Sequence, residues 1–224
     1  MGAGIALLDI ENDGDLDLYL VQGGAPAQAG TAAAPANRLF RNEGEWHFTD
    51  VTLDSGAGNR EVGMGVVAAD LDGDGDTDLY VCNLGTNSVL LNNGSGRFAD
   101  VTAASGAGVP HWSSAAAAGD LDGDGDLDLM VANYLDLSVG PHKWCGRREE
   151  GYRTYCHPDA YPGVPDSLLE NRGTGVDGIP RFINRAAAAG VAKASWTDGK
   201  GLGVVVLDME GDGDQDIYVA NDST

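Results

Sequence analysis

One phrase recurs four times in this chain and limits what it can fold into. The copies are "LLDIENDGDLDLYLV", "AADLDGDGDTDLYVC", "AGDLDGDGDLDLMVA" and "VLDMEGDGDQDIYVA". Acids fall at relative positions 1, 3, 5, 7 and 9 in every copy, and glycine always holds position 6 (Gly14, Gly75, Gly125 and Gly213). The acids are Asp9, Glu11, Asp13, Asp15 and Asp17; Asp70, Asp72, Asp74, Asp76 and Asp78; Asp120, Asp122, Asp124, Asp126 and Asp128; and Asp208, Glu210, Asp212, Asp214 and Asp216. These make up 20 of the chain's 35 acids, so the net charge of -22 is concentrated in loops rather than spread over a surface.

Hard cations explain such spacing. Calcium takes six to eight oxygen ligands, and a short loop with acids at alternate positions can wrap it. The glycine permits the sharp turn that aims them inward. We expect positions 1, 3, 5 and 9 to ligate through side chains and position 7 through its carbonyl. The position-7 side chain, Asp76 for example, would then face solvent. Four copies imply up to four calcium ions. The helix-flanked EF-hand loop needs a glutamate at position 12. Here that position is Leu20, Val81, Val131 or Val219, so the EF-hand pattern fails in all four copies. Acidic turns without metal would leave four clusters of carboxylates unneutralised.

The repeat extends beyond the loop. Apolar runs precede it ("GIALL", "GVVAA", "AAAAG", "GVVVL") and follow it ("LDLYLV", "TDLYVC", "LDLMVA", "QDIYVA"). Both faces of these runs are apolar, as for strands covered on both sides. A third run follows in "NRLFRN", "NSVLLNN" and "SLLENR", and a fourth in "FTDVT", "FADVT" and "FINRA". Asn and Gly cluster between the last two runs, a hairpin signal. The unit is therefore strand, acidic loop, strand, strand, turn, strand, at a period of about 50 to 60 residues. That period fits four-stranded antiparallel β-propeller blades. The predicted fold class is all-β, a partial, open propeller of about three and a half blades. The predicted units are 1–62, 63–112, 113–200 with a long insertion at 134–166, and 201–224 as the first half of a blade.

The chain resembles the FG-GAP/VCBS family of calcium-binding propellers, the fold of the integrin α-subunit head. More narrowly, "NRLFRNEGEWHFTDVTLDSGAG" and "DIYVANDST" resemble the group related to cartilage acidic protein, the ASPIC/UnbV-associated group. The resemblance implies an extracellular or cell-envelope protein and a protein- or glycan-binding role in adhesion. Closing a ring of such blades takes roughly 350 to 450 residues at this period, so the chain reads as part of a longer propeller. "MGAGIALLDI" lacks the basic region and cleavage site of a secretory signal.

The links from the second strand to the third vary. They are "QGGAPAQAGTAAAPAN", the short "NLGTN" and the long "YLDLSVGPHKWCGRREEGYRTYCHPDAYPGVPD". They should lie on the face opposite the acidic loops. The long link concentrates aromatics and bases, including Trp144, Arg147, Arg148, Tyr152 and Tyr155. Such residues are typical of binding hot spots, and long loops on rigid scaffolds commonly carry binding. A protein or glycan ligand is the expected partner; a self-packing insertion is the alternative. Cys145 and Cys156 lie in the same link. A disulfide would stabilise by roughly 2 to 3 kcal/mol and would imply an oxidising compartment. A zinc site from His142, Cys145, Cys156 and His157, or free thiols, are the other readings. Cys82 matches Ala132 and Ala220 in the other units and is expected to be a small buried residue.

The acidic balance, 35 acids against 13 bases, argues against nucleic acid. No apolar run is long enough to cross a bilayer. No P-loop, HExxH or nucleophile-elbow motif appears. His47 and His111 sit at unit edges and read as structural. The alternatives to a binding module are the propeller part of a carbohydrate-active enzyme, such as a polysaccharide lyase, and a purely structural scaffold.

Overall fold

Each apolar run beside an acidic phrase forms a strand, and the strands pair in chain order. The computed structural model describes residues 3–23, 35–137, 143–192 and 199–222. The first blade is the antiparallel meander β1 (Ile5–Leu8), β2 (Asp17–Leu20), β3 (Arg38–Asn42) and β4 (Phe48–Asp50). The second is β5 (Gly63–Ala69), β6 (Asp78–Thr86), β7 (Ser88–Asn92) and β8 (Phe98–Asp100). The third begins with β9 (Pro110–Gly119) and β10 (Asp128–Asn133). A small hairpin, β11 (Gly146–Arg147) and β12 (Tyr152–Arg153), interrupts it. It resumes with β13 (Ser167–Thr174) and β14 (Pro180–Asn184). Finally β15 (Gly201–Leu207) pairs with β16 (Asp216–Asn221). This is a partial β-propeller.

The register repeats with the sequence. Leu8 pairs with Asp17, Ala69 with Asp78, Gly119 with Asp128 and Leu207 with Asp216. The position-9 aspartate therefore always opens the second strand, and each acidic loop joins the first two strands of a blade.

The core lies between blades. On β6, Leu79 and Val81 point into a cluster with Leu8, Tyr19, Val21 and Leu39 of the first blade. Their neighbours Tyr80 and Cys82 point the other way, into a cluster with Leu129, Val131 and Phe182 of the third. A strand buried on both faces needs apolar residues at consecutive positions, which is why these runs show no alternation. Cys82 is buried and free, and burial holds its thiol well above the ordinary range.

The first strands of successive blades touch backbone to backbone. A Cβ on Gly65 would lie 2.7 Å from the Ser114 carbonyl oxygen, and one on Gly4 would lie 2.9 Å from the Gly65 Cα. Only glycine allows that approach, and it curls the strands together around the inner edge. On the outermost sheets the equivalent faces are bare. Tyr19 and Tyr80 are 0% exposed, whereas Tyr218, at the same repeat position on β16, is 57% exposed.

Three features depart from the simple four-strand unit. The "NLGTN" link is mostly strand, because β6 runs on to Thr86 and only Asn87 separates it from β7. The extended end of β6 pairs Leu84–Thr86 with Pro110–Trp112 of β9, fusing the second and third blades at one edge. Proline is tolerated there because it is the first residue of its strand. Short helical turns, α1 (Thr52–Ser55) and α2 (Thr102–Ser105), follow the fourth strands and end at the left-handed glycines Gly56 and Gly106. Thr52 Oγ1 accepts the Leu39 amide at 3.0 Å and Thr102 Oγ1 accepts the Val89 amide at 2.9 Å, tying each turn back to its blade.

Candidate functional site

The acidic loops fold around their own carboxylates. In the second loop the Asp70 carboxylate accepts the amides of Gly73 (2.8 Å) and Gly75 (2.9 Å). Asp72 accepts from Asp74, and Asp74 accepts from Asp76. Gly75 holds a φ of 93°, a left-handed conformation that suits glycine. The position-1 acids Asp9, Asp120 and Asp208 take amides from their loops in the same way.

Position 9 closes the loop. Asp78 is 0% exposed. Its Oδ2 accepts the Leu71 amide at 2.9 Å and its Oδ1 accepts the Asn92 amide at 2.8 Å. Asp17 is bound likewise by Ile10 and Asn42, and Asp128 by Leu121 and Asn171. Asp216 accepts the Met209 amide. Each carboxylate oxygen has a second lone pair, so these bonds leave room for a cation.

Oxygens of Asp70, Asp72 and Asp78 lie within 4.8 Å of one another, as do those of Asp120, Asp122 and Asp124. Both sets are oxygen-only and suit a hard cation. Among the described residues the first and fourth loops, and Asp74, do not join a cluster that tight.

Crowding is visible in the acids' protonation. Burial, then the neighbouring charge of Asp74, pushes the Asp72 carboxyl up to about 6. Burial pushes Asp78 up to about 7, against the pull of its two amide bonds. Burial also raises Asp17, Asp128 and Glu11. In the first loop Arg41 Nε lies 3.5 Å from Glu11 Oε1. Among the described residues no Lys or Arg forms an ion pair with the five aspartates of the second loop.

One expectation is corrected. Asp76 does not simply face solvent: it is half-buried, and its Oδ1 accepts a bond from Asn12 Nδ2 of the first loop at 2.7 Å. Adjacent blades bring these loops close enough to interlock. Asp15 and Asp214, at the same position in other loops, are exposed.

The sequence reading missed a set of buried asparagines that couples the loops. Asn92 Nδ2 donates to the Ile10 carbonyl at 2.9 Å, and Asn171 Nδ2 donates to the Leu71 carbonyl at 3.0 Å. Each therefore joins its own blade's position-9 aspartate to position 2 of the preceding loop. The recurring Asn in "FRN", "LLNN" and "LENR" was the available signal. A second set buttresses the opposite end. Tyr19 Oη donates to the Ala57 carbonyl and accepts from Asn37, and Tyr80 does the same with Ala107 and Asn87. In the third blade Met130 and Asp166 occupy those places, and Asp166 accepts the Asn133 amide at 2.8 Å.

The long insertion leaves β10 at the end away from its acidic loop. Cys145 and Cys156 form a disulfide with Cα atoms 5.2 Å apart, which excludes a zinc site built on their thiolates. Of the two histidines in that reading, His142 lies outside the described residues, and His157 is exposed with its Nδ1 3.2 Å from Asp159 Oδ2. Arg147 and Tyr152 pair across the hairpin, with Arg148 in the turn beyond Arg147, all three exposed. Tyr155 is fully exposed, and Trp144 carries the Arg153 guanidinium over its ring at 5.6 Å. Lys143 sits 5.4 Å over the Tyr161 ring. Beneath, Trp112 and Tyr134 meet edge to face at 5.0 Å. Lys200 is buried and pairs with Asp159 at 2.5 Å, holding the insertion to the start of β15. No helix among the described residues is long and apolar enough to cross a membrane.

Comparison with known families matches a model described as FG-GAP-like repeat to residues 9–81 and, overlapping, to 70–131. Each match starts at the first aspartate of one loop and ends in the second strand of the next blade. No curated protein matches the chain.

Proposed function

The chain belongs to the FG-GAP-like repeat family, and from that premise we propose that it is a calcium-stabilised propeller module that binds a protein or glycan ligand outside the cell. The observation that carries the calcium reading is the second loop. There Asp70, Asp72 and Asp78 converge and, among the described residues, no Lys or Arg pairs with any of the five aspartates. Each loop would hold one ion, for up to four, with the acids at positions 1, 3, 5 and 9 as side-chain ligands. The ion supplies the positive charge that the crowded carboxylates lack, and the asparagine bridges carry its effect to the next blade.

The blades are proposed to divide at 1–62, 63–112, 113–200 and 201–224, with ligand binding assigned to the insertion within 134–166. The disulfide supports a secreted or cell-envelope location. The sequence resemblance supports placement beside the ASPIC/UnbV-associated group. The test is calorimetric titration of chelator-stripped protein. Saturable calcium binding at three or four sites, with magnesium a poor competitor, is the expected result; no calcium binding refutes the reading.

A further inference from the structure

We propose that the groove between the disulfide-closed insertion and the start of β9 binds an acidic oligosaccharide, one whose sugar rings carry carboxylates. This inference rests on the binding-module reading above and gives the class of its ligand. The groove encloses about 830 Å³, within the span usual for ligand sites. Trp112, Tyr134 and Tyr161 line its inner part, and Tyr152 and Tyr155 stand at its rim, exposed. A neighbouring groove of about 610 Å³ shares Trp112, Leu135 and Leu137 and continues toward β6. Asp136 lines that second groove, so the carboxylates of the ligand are assigned to the main one.

The lining chemistry selects the ligand. Five aromatic rings outnumber two leucines. Tyrosine offers a flat apolar face and a hydroxyl at its tip, matching a sugar ring with one C–H face and a polar edge. An apolar peptide helix needs a more aliphatic trench. The charge is also selective. Lys143 and Arg153 line the main groove and, among the described residues, no carboxylate does, in a chain with 35 acids and 13 bases. Both cations are held over rings, Arg153 on Trp144 and Lys143 on Tyr161, so little order must be gained on binding. Two fixed cations suit two carboxylates at short range. A long polyanion would meet the net charge of -22 along most of its length.

The test uses the calcium-loaded protein and a tetrasaccharide of alternating glucuronate and N-acetylglucosamine. Neutral chitotetraose and a tetraglutamate peptide are the controls. The uronate sugar should bind saturably and at least about tenfold more tightly than either control. Arg153→Gln and Tyr155→Ala, both at exposed side chains, should each weaken it by about tenfold while keeping the parent's calcium-dependent melting. Equal binding of chitotetraose, equal binding of tetraglutamate, unaltered affinity in both variants, or no binding of the sugar would each overturn the inference. The melting curves separate this outcome from the calcium reading. A retained calcium shift without sugar binding refutes the groove assignment alone, and a lost shift refutes the calcium sites alone.

Discussion

At the scale of single residues, the decisive groups are carboxylates that no Lys or Arg among the described residues pairs with. Asp72 and Asp78 sit at about 6 and about 7, above the ordinary aspartate value of 3.8. A carboxyl whose folded value is raised stabilises the fold below its unfolded value and loses that contribution as pH rises through the folded one. The calcium-free protein should therefore become less stable between about pH 4 and pH 7, and calcium should flatten the decline. Melting temperature against pH, with and without chelator, checks both parts. Asp72→Asn should raise the stability of the calcium-free protein near pH 7 while lowering calcium affinity by about tenfold or more. A purely structural aspartate would give neither change. Tyr80→Phe isolates a different contact. It leaves the buried Ala107 carbonyl without its hydroxyl donor and should cost about 1 to 3 kcal/mol in denaturant unfolding, with calcium affinity unchanged.

Elements show how the loops are held and how much of that could be read in advance. Gly75→Ala would force a side chain into a φ of 93° and should cost about 1 to 2 kcal/mol, with weaker calcium binding. The insertion is closed by the only disulfide among the described residues. Cys145→Ser with Cys156→Ser should speed tryptic cleavage between Arg147 and Arg153 while leaving the calcium-dependent melt in place. The strand order and the loop positions were legible because they depend on local patterning: apolar runs, alternating acids and a glycine at a fixed place. The asparagine bridges, the β6–β9 pairing and the Asn12–Asp76 contact were not. Each depends on how one blade sits against the next, which no window of sequence around Asn92 or Thr86 contains. The helical turns were hidden for another reason. "VTLDSGAG" and "VTAASGAG" are too short to show a helical period. The insertion's tie to β15 through Lys200 and Asp159 likewise needed the folded chain.

Across the whole molecule, the acidic loops, of nearly constant sequence, lie at one end of the blades, and the links from second to third strand, which differ in sequence in every blade, leave from the other. The core lies between blades, so each blade depends on its neighbours, as in other repeat architectures. The asparagine bridges run along the same direction and tie the second loop to the first and the third to the second. A cation bound in one of these loops would therefore steady an interface as well as a turn. The central claim is that calcium holds these blades together, and thermal unfolding at pH 7 tests it most directly. The protein should be melted in millimolar calcium, in the same concentration of magnesium, and in excess chelator. Calcium should raise the melting temperature by at least about 5 °C over chelator, with magnesium giving much less. Superimposable curves in calcium and chelator would contradict the account.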